Sequence, residues 1–131
     1  MDSSLFWKPK ININPPKQYI LQNKIASSYE YYVAIAAEKY GYEYIFQYAI
    51  MGGWGRPGGQ VIDFIIMTNP RPTPLEVNEE HWHRDVSHEI IQQADIKALL
   101  GNEFEDLKVI WGEECDTIEK AEQAFRRLFV L

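Results

Sequence analysis

The sequence predicts one α/β domain with the element order α-β-β-β-α-β-α. Three observations carry that prediction: capping signals that open apolar runs of helical spacing, four strand-like runs, and glycines or prolines that punctuate them. At 131 residues the chain can hold one domain with a real core and is too short for two ordinary ones. Its hydrophobic content of 46% and aromatic content of 14% are enough to bury a core, which excludes a disordered tail.

Residues 1–26 contain Pro9, Pro15 and Pro16, show no clear period, and read as an extended N-terminal arm. The arm could pack back through Leu5, Phe6 and Trp7, or meet a protein or nucleic-acid partner through its lysines. Residues 27–131 form the domain. Ser27-Ser28-Tyr29-Glu30 is a capping-box sequence, and Tyr29, Val33, Ala36 and Tyr40 follow at helical spacing until Gly41 stops a helix over 28–40. Tyr42, Tyr44, Phe46, Tyr48 and Ile50 alternate as in a strand, which the glycine-rich run at 52–59 ends. Val61 to Met67 is apolar on both faces, as a central buried strand is. Prolines at 70, 72 and 74 mark the next connection, and 75–78 reads as a third, shorter strand. A second helix starts near Asp85 or Ser87 and closes at Gly101, 107–111 is a fourth strand, and Asp116-Thr117-Ile118-Glu119 opens a last helix.

The net charge of −6 argues against a nucleic-acid binder that works by bulk positive field. The charge is uneven: Lys8, Lys10, Lys17 and Lys24 face only Asp2 in the first 24 residues, while the acidic excess lies after residue 75. Cys115 is the single cysteine, which precludes an intramolecular disulfide and fits a reducing, cytoplasmic setting. No signal peptide and no spanning segment are expected.

Asp63 sits inside Val61-Ile62-Asp63-Phe64-Ile65-Ile66, where an unpaired carboxylate would cost several kcal/mol of desolvation. A cationic side chain or a bound cation must offset that. Glu76 lies in Leu75-Glu76-Val77-Asn78, and a hairpin can bring it beside Asp63 so that both bind a hard cation such as Mg²⁺ or Mn²⁺. The other possibility is a solvent-facing Glu76 and an Asp63 paired with Arg56. The loop at 52–59 has no Walker or dinucleotide fingerprint and reads as a hairpin turn; Arg56 at its tip and Trp54 could reach a nucleic-acid backbone or groove. His81 and His83 could chelate zinc, but no third soft ligand lies nearby.

Taken together, Ser28-Tyr29-Glu30 opening a helix, Gln47 at a strand end, Gly58-Gly59-x-Val61-x-Asp63-Phe64, Glu76-Val77-x-x-Glu80-x-Trp82-His83 and Val109-Ile110-Trp111-x-Glu113 resemble the very short patch repair endonucleases and their phage-encoded relatives. That resemblance covers about residues 27–129. It implies a restriction-endonuclease-like core of the PD-(D/E)xK superfamily, with a central mixed four-stranded sheet. It also implies a Mg²⁺- or Mn²⁺-dependent DNA endonuclease, working in the host cytoplasm if phage-encoded. Asp63 matches the family's metal-binding aspartate, Glu76 falls at or beside the second acidic position, and Val77 would lend a backbone carbonyl. Glu80 could replace Glu76 as ligand. Glu30 matches a helix glutamate aimed at the metal through water, though a capping box alone explains a glutamate there. His83 matches a histidine close to the scissile phosphate, and Trp82 beside it could stack on or wedge between bases.

The chain departs from the family at two points. The lysine expected two residues after the second acid is Asn78, which can orient water or phosphate but brings no charge. The family's structural zinc site has no counterpart, because Cys115 is alone. Two functions therefore stand: a metal-dependent DNA endonuclease, and a catalytically inactive nuclease-fold protein used for binding or assembly, for instance in a phage.

Overall fold

The computed structural model describes residues 18–50, 60–79 and 96–130. The described chain is a mixed α/β structure built on a four-stranded mixed sheet. In chain order the elements are β1 (Tyr19–Leu21), β2 (Lys24–Ala26), α1 (Ser28–Lys39), β3 (Tyr44–Ile50), β4 (Gln60–Ile66), β5 (Thr73–Asn78), the helical residues 96–100 (α2), β6 (Lys108–Trp111) and α3 (Ile118–Phe129). The sheet order is β3-β4-β5-β6, antiparallel except for the parallel β5–β6 pair. No helix among the described residues is long and apolar enough to cross a membrane.

The local signals work as their chemistry requires. Ser27 Oγ accepts from Glu30 N at 3.1 Å and Glu30 Oε1 accepts from Ser27 N at 2.9 Å, which satisfies two amides that the first helical turn leaves open. Gly41 (φ +80°) follows the last turn of α1 and Gly101 (φ +69°) follows α2, conformations that a Cβ would strain. Thr117 caps α3 by accepting from Lys120 N at 3.1 Å.

Residues 19–26 correct the expectation of an extended arm. They form a hairpin whose turn residues Gln22 (φ +49°) and Asn23 (φ +66°) are both left-handed, as a two-residue turn demands. Leu21 is fully buried, so the hairpin is part of the core. Gln22 also shields the edge of β3: its Nε2 donates to Tyr44 O and its Oε1 accepts from Phe46 N, both at 2.8 Å, in the manner of an extra strand. Lys24 Nζ adds a bond to Phe46 O at 2.9 Å. Residues 1–17, with Leu5, Phe6 and Trp7 and any partner contact through the arm, lie outside the described residues.

α1 is buried on nearly all sides rather than along one stripe. The hairpin, the sheet and α3 each cover part of it, and Ala34, Ala36 and Ala37 let them approach closely. α3 is joined to α1 by the Lys39–Glu122 ion pair at 2.8 Å and by Phe125, whose ring lies parallel to Tyr40. A second cluster, Ile50, Ile62, Ile65 and Ile96, fills the space between the sheet and α2. The connection before β5 is tied to the segment after α2 by the two-pronged contact of Arg71 with Glu105. Pro74, expected in a connection, lies in β5 opposite Ile65, one residue before the β5–β6 ladder begins at Leu75.

One expectation fails at Gln47. The sequence predicts unbroken alternation from Tyr42 to Ile50, and the resemblance implies a strand end at Gln47. In the structure Gln47 stands mid-strand with φ +57°. Tyr44 and Phe46 pack with α1, whereas Tyr48 and Ile50 pack in the α2 cluster. A left-handed residue turns the chain by one step of the pleat, so the facing is inverted beyond it.

Candidate functional site

β4 and β5 pair only at Phe64↔Leu75, Ile65↔Pro74 and Ile66↔Thr73. Beyond that point β4 stays with β3 as far as Gln60, and β5 stays with β6 as far as Asn78. The sheet forks there. The first residues past the fork are Asp63 on β4 and Glu76 on β5, both half-buried.

Three carboxyl groups meet at this fork. Asp63 Oδ2 accepts the main-chain N–H of Val77 at 2.8 Å, and the Asp63 carboxyl interacts electrostatically with those of Glu76 and Glu30. Glu30 arrives from the first turn of α1, with one oxygen already holding Ser27 N. Glu30 thus caps α1 and also lies beside Asp63. Sequence spacing placed the two strand acids together; the structure adds the helix.

Burial is the first cause of the electrostatics. It raises the pKa of Asp63 and Glu30 above the usual carboxylate range, and together with the Asp63 charge it pushes Glu76 up to about 9. Glu79, the next residue after β5, adds to the negative potential on Glu30. Such a group can be kept by protonation or by a divalent cation that offsets most of its charge. Among the described residues no group of three or more His, Cys, Asp or Glu side chains is arranged to hold a metal ion. The donor chemistry nevertheless fits a hard cation. Asp63 and Glu30 each have one oxygen not engaged by the main-chain bonds described, Glu76 adds its carboxyl, and all are oxygen donors.

The other expected residues divide by position. Val77 brings its amide to Asp63, where its carbonyl was expected to serve a metal. Asn78 ends β5, two residues past Glu76 and in register with Trp111. Glu80, His81, Trp82, His83, Trp54 and Arg56 lie outside the described residues, so the alternative pairing of Asp63 with Arg56 does too. The described partners of Asp63 are an amide and two acids. What sequence reasoning missed is Gln47, which stands opposite Asp63 at the one step where the β3–β4 ladder skips a pair. A glutamine within an alternating run gives no warning of a left-handed backbone.

Gly112 shows how tightly the rim is built. A Cβ there would lie 3.2 Å from the Glu79 Cα and 3.6 Å from Tyr29 Cε1, so glycine lets the end of β6 close against both. No protein-family model matches the chain, and the searches of curated proteins and of solved structures return no match either.

Proposed function

We propose that the chain is a metal-dependent DNA endonuclease with a restriction-endonuclease-like core. The single observation that carries this reading is the convergence of Asp63, Glu76 and Glu30 at the sheet fork, half-buried together with no described cationic partner. The order of elements supports it: a helix, three antiparallel strands, a crossover, and a strand parallel to the third.

Asp63 and Glu76, from neighbouring strands, would hold Mg²⁺ or Mn²⁺, and Glu30 would steady a water beside it. When bound, such an ion supplies a Lewis acid for phosphoryl oxygens and lowers the pKa of water. Val77 keeps Asp63 aimed through its amide. Asn78 orients water or phosphate at the end of β5, and His83 delivers a proton to the leaving oxygen. Trp82, Trp54 and Arg56 serve the DNA, and Glu80 stands in reserve as a ligand. The acidic excess makes any affinity for DNA modest and steeply salt-dependent.

Asn78, standing where the resemblance expects lysine, favours a second reading, a catalytically inactive protein of the same fold. One assay separates the two: incubation of supercoiled, mismatched and branched DNA with Mg²⁺ or Mn²⁺, comparing wild type with Asp63→Ala. Nicking or cutting that the substitution abolishes supports the enzyme. No cleavage with either ion, or equal cleavage by Asp63→Ala, overturns it.

A further inference from the structure

We infer that Gln47 is the positioning residue for Asp63: its left-handed backbone, not its side-chain chemistry, turns the Asp63 carboxylate toward Val77, Glu76 and Glu30. The metal-dependent role of that carboxylate rests on the reading proposed above, whereas the positioning itself is a matter of strand geometry.

In a regular strand residues two apart share a face. In β4, Phe64 and Ile66 pack with α1, so Ile62 should join them and Asp63 should face the other way, into the α2 cluster and away from Glu30. The structure has the reverse. Ile62 packs in the α2 cluster, whereas Asp63 accepts from Val77, which packs on the α1 side, and interacts with Glu30 of α1. In β3 the same inversion falls between Phe46 and Tyr48.

The two inversions are one event. Phe46↔Phe64 and Tyr48↔Ile62 keep a constant register across the break, and only the step between Gln47 and Asp63 is skipped. If one strand inverted alone, the register would slip by a residue, as at a bulge. Gln47 is the member of the pair with an unusual backbone, φ +57°. Non-glycine residues hold that conformation only where their surroundings impose it, and such strain collects at functional positions. Here the surroundings are the ladders on both sides and the Gln22 and Lys24 bonds to Tyr44 and Phe46.

The test uses the full-length protein and three variants, Gln47→Gly, Gln47→Ala and Gln47→Val. Glycine accepts a left-handed backbone freely, alanine less well, and a β-branched valine worst. The readout is hydrogen exchange at the Val77 amide, the donor to Asp63, with the Ile35 amide inside α1 reporting global opening. The expected result is a Val77 amide in Gln47→Gly protected as in wild type. In Gln47→Val it exchanges at least tenfold faster relative to Ile35, with alanine in between. If valine prevents folding, the alanine and glycine variants decide by the same order. Equal Val77 protection in all folded variants, or equal loss in glycine and alanine, overturns the inference. A second readout is the rise in melting temperature with Mn²⁺, expected to survive in Gln47→Gly and to shrink as Val77 protection is lost. A wild type without that rise refutes the metal reading alone, since Val77 exchange still decides what Gln47 does.

Discussion

Val77 donates its main-chain N–H to Asp63 Oδ2 at 2.8 Å, at the point where β4 and β5 cease to pair. The side chain thus takes over a hydrogen bond that a neighbouring strand would have supplied, and it satisfies the Val77 amide at the fork. The same bond holds one carboxylate oxygen in place beside Glu76 and Glu30. A break in the sheet becomes a site because an acid fills it.

The first prediction concerns pH. Glu76, with its pKa pushed up to about 9, is favoured by the fold in its protonated form, and burial raises the pKa of Asp63 and Glu30 as well. For a raised acid, the stabilisation is complete below the unfolded pKa of about 4.5 and is lost as pH rises through the folded value. In EDTA, the melting temperature should therefore fall by roughly 5 °C or more between pH 5 and pH 9. Glu76→Gln should flatten that slope and melt above wild type at pH 9. A thermal-melt series in matched ionic strength reads both.

Glu30 has two tasks that substitution can separate. Glutamine can still accept from Ser27 N, so Glu30→Gln should keep stability within about 1 kcal/mol while weakening the affinity for Mn²⁺. Glu30→Ala loses the capping bond as well, and Ser27→Ala alone should cost about 1 kcal/mol through the other half of the box. Denaturant melts and metal titrations on the three variants distinguish the roles.

Leu21 tests whether the hairpin belongs to the domain. It is fully buried in the cluster with α1 and α3, so Leu21→Ala should cost about 2–5 kcal/mol in urea unfolding. A residue in a detached arm would cost almost nothing. Phe125→Ala, which removes the ring between Tyr40 and Tyr42, should cost about 3–5 kcal/mol on the same scale.

Much of this architecture was legible because its signals are local. Ser27 with Glu30, Gly41, Gly101 and Thr117 each act within a turn, and the structure uses them at those positions. Asp63 was legible for a different reason: a carboxylate among Ile and Phe costs too much to be idle. Gln22-Asn23 was not, since the turn lacks the usual glycine and the prolines before it suggested an arm. The facing of Tyr48 and Ile50 was hidden too, because alternation predicts a period and not where the period restarts. The fork itself is a long-range property, set by which strands stay paired on either side of Asp63 and Glu76.

The most direct test is a calorimetric titration of Mn²⁺ into the full-length protein at pH 8, with Asp63→Ala and Glu76→Gln beside it. The fork predicts about one ion per chain and a release of protons that grows as the buffer is moved from pH 8 to pH 6, because the carboxyls must ionise to bind. It also predicts that both substitutions abolish binding or weaken it at least tenfold. Wild type that takes up no ion at millimolar concentration, or a folded Asp63→Ala that binds as well as wild type, would contradict the account.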